Sequence, residues 1–85
     1  MDMMISGFVR GADGVRPIEI LIFAPEQVPG AVAYQCLVRA PAVLQKDARI
    51  HGIDADQARQ LAVSFMKEML GNSVIEDSSG NAIDW

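Results

Sequence analysis

The chain has 85 residues, of which 51% are hydrophobic and 21% are charged, and its net charge is −4. This composition excludes a disordered tail, which would be poor in apolar residues, and a basic nucleic-acid binder. The single cysteine, Cys36, excludes an internal disulfide. Neither a signal-peptide pattern nor a run of about 20 apolar residues is present. We therefore expect one cytoplasmic domain spanning residues 1–85, with no membrane partner.

The first half of the chain reads as strands separated by turns. The segment from Gly11 to Gly14 predicts a hairpin turn between the first two strands. Pro17 would interrupt a central ladder, so we expect it near a strand end or at a sheet edge. β-branched and aromatic residues predict strands over residues 3–10, 16–24 and 31–39, and a short fourth strand near residues 48–51.

The pattern after residue 53 predicts an amphipathic helix from about residue 55 to residue 70. Asp54 is placed as its N-cap, and Gln57 completes a capping box. Gly71 is placed for a left-handed C-cap. The residues predicted to form the apolar stripe recur at spacings of three and four, and they are Ala58, Leu61, Ala62, Phe65, Met66 and Met69.

This order of elements predicts an α+β domain. It consists of an antiparallel β-meander of three to four strands with one C-terminal amphipathic helix packed on one face. Residues 74–75 and 83–85 flank a turn, which leaves room for a short C-terminal strand. Strands and helices do not alternate along the chain, and this argues against a doubly wound parallel sheet.

Side-chain alternation sorts the strands into two faces. The predicted inward side chains are Ile5, Gly7, Val9, Ile18, Ile20, Ile22, Ala24, Val32, Tyr34, Cys36 and Val38. The opposite face is mixed, whereas a solvated face would be nearly all polar. We predict a partner or dimer interface on this outer face, formed by Phe8, Leu21, Phe23, Leu37 and Arg39. The alternative is that the C-terminal tail or the loop at residues 25–30 covers these side chains.

The acidic charge is concentrated in the second part of the chain. Residues 54–85 hold six acidic and two basic residues, which accounts for the whole net charge of −4. Such an acidic end either docks on a basic partner or increases solubility.

No constellation of residues indicates catalysis. His51 is the only histidine, and although Asp54 and Asp56 are close in sequence, no motif supplies a nucleophile. Cys36 is predicted to face the core as a small apolar residue. The carboxylates show no metal-ligand spacing. We therefore expect no enzyme, no metal and no cofactor. We also expect no nucleic-acid partner, because the chain is acidic and lacks an RNA-binding consensus.

The segment from Gly52 to Ala62 reads G-x-D-x-x-Q-A-x-x-L-A. With Cys36 upstream, it resembles a group of small uncharacterised bacterial proteins, a domain of unknown function. The match covers roughly residues 18–70, and Arg59 and Gln60 depart from the more apolar helix of the group. The resemblance implies a bacterial source and an α+β fold, and it carries no activity.

The interpretation that follows is a non-enzymatic protein-interaction or self-associating module, either a homodimer or a binder of another protein. Two alternatives stay open. One is a small-molecule-binding or sensor domain with a cleft between the loop at residues 25–30 and the helix. The other is an immunity-type inhibitor of a toxin, in which Asp77 and Asp84 contact a basic toxin site.

Overall fold

A computed structural model describes all 85 residues. Its elements are β1 (Met3–Gly11), β2 (Gly14–Ile22), β3 (Glu26–Gln27), β4 (Tyr34–Arg39), β5 (Ala48–Gly52), α1 (Ala55–Met69) and β6 (Ile75–Glu76). The predicted α+β fold is confirmed: β1, β2, β4 and β5 form an antiparallel meander, and one C-terminal helix packs on it.

The strand order across the sheet is β5, β4, β2, β1 and β6. Only Leu21 and Ile22 of β2 pair with β4, so the β1–β2 hairpin projects beyond β4. The short strand β3 pairs with the same edge of β4, where Glu26 faces Gln35. The segment around Pro25, predicted as a loop, therefore continues the line of β2 and does not fold over the sheet.

The projecting hairpin explains the position of Pro17 in the middle of β2. The amide of Phe23 donates to the carbonyl of Leu37 on β4 at 2.9 Å, so odd-numbered residues of β2 direct their backbone groups to the β4 side. At Pro17 that side has no paired strand, because β4 pairs only with Leu21 and Ile22. The missing N–H therefore lies at a free edge, as predicted.

The core lies between the helix and the inner face of the sheet. Its buried side chains are Ile5, Ile18, Ile20, Ile22, Cys36, Val38, Ala40, Ala58, Ala62, Met66 and Ile75. The predicted inward position of Val32 is wrong, because β4 begins only at Tyr34 and the Val32 side chain is 91% exposed. Ala24 also departs from the predicted alternation, because it lies past the end of β2 and is only half-buried.

The row of fully buried residues along the helix is narrower than the predicted apolar stripe. Ala58, Ala62 and Met66 are fully buried at four-residue spacing, whereas Leu61 is 43% exposed and Met69 is 47% exposed. Leu61 is rotated by about 100° from Ala62 around the helix axis, so it leaves the contact line. Met69 is the last helical residue and follows the last buried position. The prediction that both are core residues is wrong.

The start of the helix follows the predicted capping pattern, except that the Gln57 side chain accepts the amide of Ile53 instead of the amide of the N-cap residue Asp54. The Asp54 carboxylate accepts the amide of Gln57 at 2.7 Å, and the Gln57 side-chain oxygen accepts the amide of Ile53 at 2.7 Å. A Cβ on Gly52 would lie 2.5 Å from the amide nitrogen of Ala58. Gly52, Asp54 and Gln57 of the G-x-D-x-x-Q-A segment therefore have structural roles at the strand–helix junction.

The C-terminal tail packs on the inner side of the hairpin. Ile75 is fully buried, and Ile83 and Trp85 pack against the core. Gly7 of β1 faces these residues, since a Cβ there would lie 2.8 Å from Ile75 and 2.9 Å from Ile83. Of the five residues predicted for the interface, only Phe8 has tail residues beside it, through its pairing with Glu76. The tail therefore does not cover the others.

Candidate functional site

The structure brings four of the five predicted interface residues together. Leu21 of β2 pairs with Arg39 of β4. Two residues further along β2, the amide of Phe23 donates a hydrogen bond to the carbonyl of Leu37. Leu21, Phe23 and Leu37 are half-buried, and none of them packs against the core. Phe8 lies apart on the projecting hairpin, opposite Pro17. The predicted interface is thus one compact group and one separate aromatic residue.

Sequence reasoning missed a member of this group. Met4 lies directly opposite Leu21 in the β1–β2 register, and its side chain is 61% exposed. The signal for Met4 is the alternation of β1, which places it on the same face as Phe8 when it is extended to the start of the strand. We call the four apolar residues Met4, Leu21, Phe23 and Leu37 the outer patch.

Arg39 forms an ion pair at the margin of the outer patch. Its guanidinium donates to the carboxylate of Asp47 at 2.9 and 3.2 Å. These hydrogen bonds lower the pKa of Asp47 below its ordinary value and raise the pKa of Arg39. The guanidinium carbon also lies 5.4 Å from the centre of the Phe23 ring. Arg39 is thus neutralised within its own chain.

A shallow groove of about 200 Å³ lies over the end of the outer patch that is formed by Phe23 and Leu37. Glu26 of β3 stands on one side of β4 and Arg49 of β5 stands on the other side. The molecule contains two ion pairs, Arg10–Glu76 and Arg39–Asp47. Glu26 and Arg49 are therefore opposite charges that share one groove and form no ion pair.

Phe8 lines a second, wider groove of about 670 Å³. Pro17 lies opposite Phe8 in the register, and the carboxylates of Glu19 and Asp77 belong to the same groove. The Asp77 carboxylate accepts the amides of Ser79 and Asn81 and so holds the turn that follows β6. None of the five grooves on the surface joins the segment at residues 25–30 to the helix.

The other candidate reactive residues have structural surroundings. His51 lies on the exposed outer face opposite Gln35, while Asp54 accepts the helix-capping hydrogen bond. No group of three or more His, Cys, Asp or Glu side chains is placed to hold a metal ion. The 15-residue helix lacks the length and apolar character needed to cross a membrane.

Comparison with known proteins finds no match: no family model, no curated protein and no solved structure matches this chain.

Cys36 is buried on β4 inside the core. Burial raises the pKa of its thiol above the ordinary value of 9.0, and the positive charge of Arg59 opposes this effect. Since the thiolate is the nucleophile, both low ionisation and lack of access suppress its reactivity. Cys36 thus acts as a small apolar core residue, as predicted.

We expect an alkylating reagent at pH 8 to modify Cys36 about a thousandfold more slowly in the native protein than in urea. Modification requires an opening whose free energy is on the order of 4–5 kcal/mol. Mass spectrometry of timed samples measures the rate. The exposed variant Val32→Cys, in a Cys36→Ala background, serves as the control and reacts at the unfolded rate. Equal rates for native and unfolded Cys36 would contradict its burial.

Proposed function

We propose that this chain is a non-enzymatic self-association module, a small bacterial cytoplasmic protein that pairs with a second copy through the outer patch. The observation that carries the proposal is the patch itself: Met4, Leu21, Phe23 and Leu37 share the sheet face opposite the helix, and none of them packs against the core. Apolar groups clustered in this way on a sheet face favour burial against another surface.

The charges around the outer patch favour a second copy as the partner. The whole chain carries −4, which opposes association of identical copies where the acids are spread over the contact surface. Beside the patch, however, Glu26 is balanced by Arg49, and Arg39 is balanced by Asp47, which leaves Glu19, in the row next to Met4 and Leu21, as an acid without an ion pair. The acidic excess belongs to the helix, which packs on the other side of the sheet, and to the tail, whose Glu76 and Asp77 lie beside Phe8 on the projecting hairpin and apart from the outer patch.

The architecture also favours face-to-face pairing. Two antiparallel sheets pack about 10 Å apart with their strands nearly aligned, and the helix already occupies the inner face of this sheet. A face-to-face dimer would then have four layers, with the two sheets in the middle and one helix on each outer side. A patch of four apolar side chains is small, so we expect a dissociation constant on the order of 10 µM.

We expect Phe23→Glu to raise the dissociation constant of the dimer at least a hundredfold, because each dimer would then bury two unpaired carboxylates. Light scattering on a sizing column measures the mass from about 1 µM to about 1 mM, a range that brackets this affinity. Val32→Glu is the matched control, because it adds the same charge at a 91% exposed position outside the sheet.

Met4→Glu gives a second and milder test, because Met4 is mostly exposed and its replacement leaves the core intact. Thermal unfolding of each variant checks that it remains folded. A wild-type chain that stays monomeric throughout the concentration range would overturn the proposal. So would a dimer that survives both Phe23→Glu and Met4→Glu.

A further inference from the structure

We infer that the two copies pack about a two-fold axis that runs parallel to β4 and passes over Leu37. In this arrangement Arg49 of each copy meets Phe23 and Glu26 of the other. The inference rests on the proposed self-association through the outer patch, and it adds the orientation of the partner and the charged contacts that select it.

The sheet register supplies the geometry. Phe23, Leu37 and Arg49 form one row across the outer face, with Leu37 in the middle. Glu26, Gln35 and His51 form a neighbouring row, with Gln35 in the middle. Adjacent strands lie about 4.8 Å apart. The acidic strand β3 and the basic residue of β5 therefore flank β4 at similar distances on opposite sides.

A two-fold axis parallel to β4 places the β3 side of this strand in one copy over its β5 side in the other copy. The β3 strand of one copy then lies over β5 of the other, so each Glu26 comes near His51 and Arg49 of its partner. Each Arg49 comes near the partner's Phe23, whose ring already has the Arg39 guanidinium carbon of its own chain 5.4 Å from its centre. Leu37 meets Leu37 at the axis. Both unpaired charges of the groove acquire an opposite charge in this arrangement.

The other face-to-face arrangement has its two-fold axis perpendicular to the strands. This axis places the β5 side of β4 over the β5 side of the partner's β4. Arg49 therefore lies over the partner's Arg49. Like charges would then face each other across an interface that excludes water, while both copies of Glu26 would stay unpaired. The axis parallel to β4 also places Arg39 over the partner's Arg39, but each of these guanidiniums is already paired with Asp47 of its own chain. The contacts between Arg49 and Glu26 therefore favour the axis parallel to β4.

Charge reversal tests this orientation. We expect Arg49→Glu and Glu26→Arg each to raise the dissociation constant about tenfold, because each places like charges in contact. The double variant Glu26→Arg/Arg49→Glu restores both contacts with reversed polarity, and its affinity is expected within about threefold of the wild type. Arg16→Glu on the projecting hairpin is the control for a change in net charge, because Arg16 is exposed outside the outer patch.

Mixing the two single variants provides an independent check. In a mixed pair, the new carboxylate of the Arg49→Glu chain meets the new guanidinium of the Glu26→Arg chain. The second contact joins the native Glu26 of the first chain to the native Arg49 of the second. Both contacts then pair opposite charges. We therefore expect heterodimers to form about as tightly as the wild-type dimer, which native mass spectrometry of the mixture measures directly.

The outcomes separate the orientation from the proposed function. The orientation is supported if both single variants associate weakly and the double variant regains the affinity of the wild type. Additive losses in the double variant, or an unchanged dimer in Arg49→Glu, overturn the orientation while the Phe23→Glu result still supports the outer patch. A wild-type monomer at all concentrations overturns both proposals. Thermal unfolding confirms that these exposed-site variants are folded.

Discussion

Replacing Gly52 with alanine is expected to lower the free energy of unfolding by about 2–4 kcal/mol. The added Cβ would lie 2.5 Å from the amide nitrogen and 2.9 Å from the Cα of Ala58. These are backbone atoms, so no side-chain rotation relieves the overlap. The first turn of the helix would have to move away from the sheet. Ala58 is fully buried, so this movement would open the core.

Urea denaturation followed by circular dichroism measures the change. Gly11→Ala is the matched control: Gly11 also belongs to a strand, and the nearest atom to its added Cβ lies 3.8 Å away, at ordinary contact distance. We expect that variant to stay within about 0.5 kcal/mol of the wild type. Equal stability of Gly52→Ala and Gly11→Ala would show that the helix tolerates a wider separation from β5.

Replacing Ile20 with alanine is expected to cost about 3–4 kcal/mol, within the range for buried large-to-small substitutions. The Ile20 side chain is fully buried in the middle of β2, opposite Ile5. A chain of this size has a total stability of about 4–13 kcal/mol. The cavity left by Ile20 would thus remove a large share of the free energy that holds the domain together.

The same denaturation experiment tests this expectation, with Val15→Ala as the control. Val15 lies on the same strand but is exposed, so we expect a loss of about 0.5 kcal/mol from strand propensity alone. A loss at Ile20 as small as that at Val15 would contradict a core centred on β2.

Local patterns in the sequence were sufficient for the meander, the helix and its caps. Alternation identified the inward faces of β1 and β2, because that signal depends only on neighbouring residues. The same is true of Asp54 and Gln57, whose hydrogen bonds join residues only three and four positions apart at the start of the helix. The prediction for Leu61 is wrong because a spacing of three or four residues defines a broader stripe than the sheet contacts.

The remaining features depend on pairing between distant segments. The strand β3 has only two residues and exists through its register with β4, which no local pattern records. The shared groove of Glu26 and Arg49 arises in the same way, since these residues are brought together by two different partners of β4. For the site, alternation therefore predicted the apolar outer face but not its charged neighbours.

The docking of the tail determines what an optical probe reports. Trp85 is the only tryptophan, it packs against the core from the last position of the chain, and the Lys67 ammonium lies 5.3 Å from its ring. Fluorescence therefore monitors the attachment of the tail, whereas far-ultraviolet circular dichroism monitors the sheet and helix. Coincident melting curves would mean that the tail belongs to the same cooperative unit as the meander. An earlier fluorescence transition would identify the tail as a separate unit that detaches first.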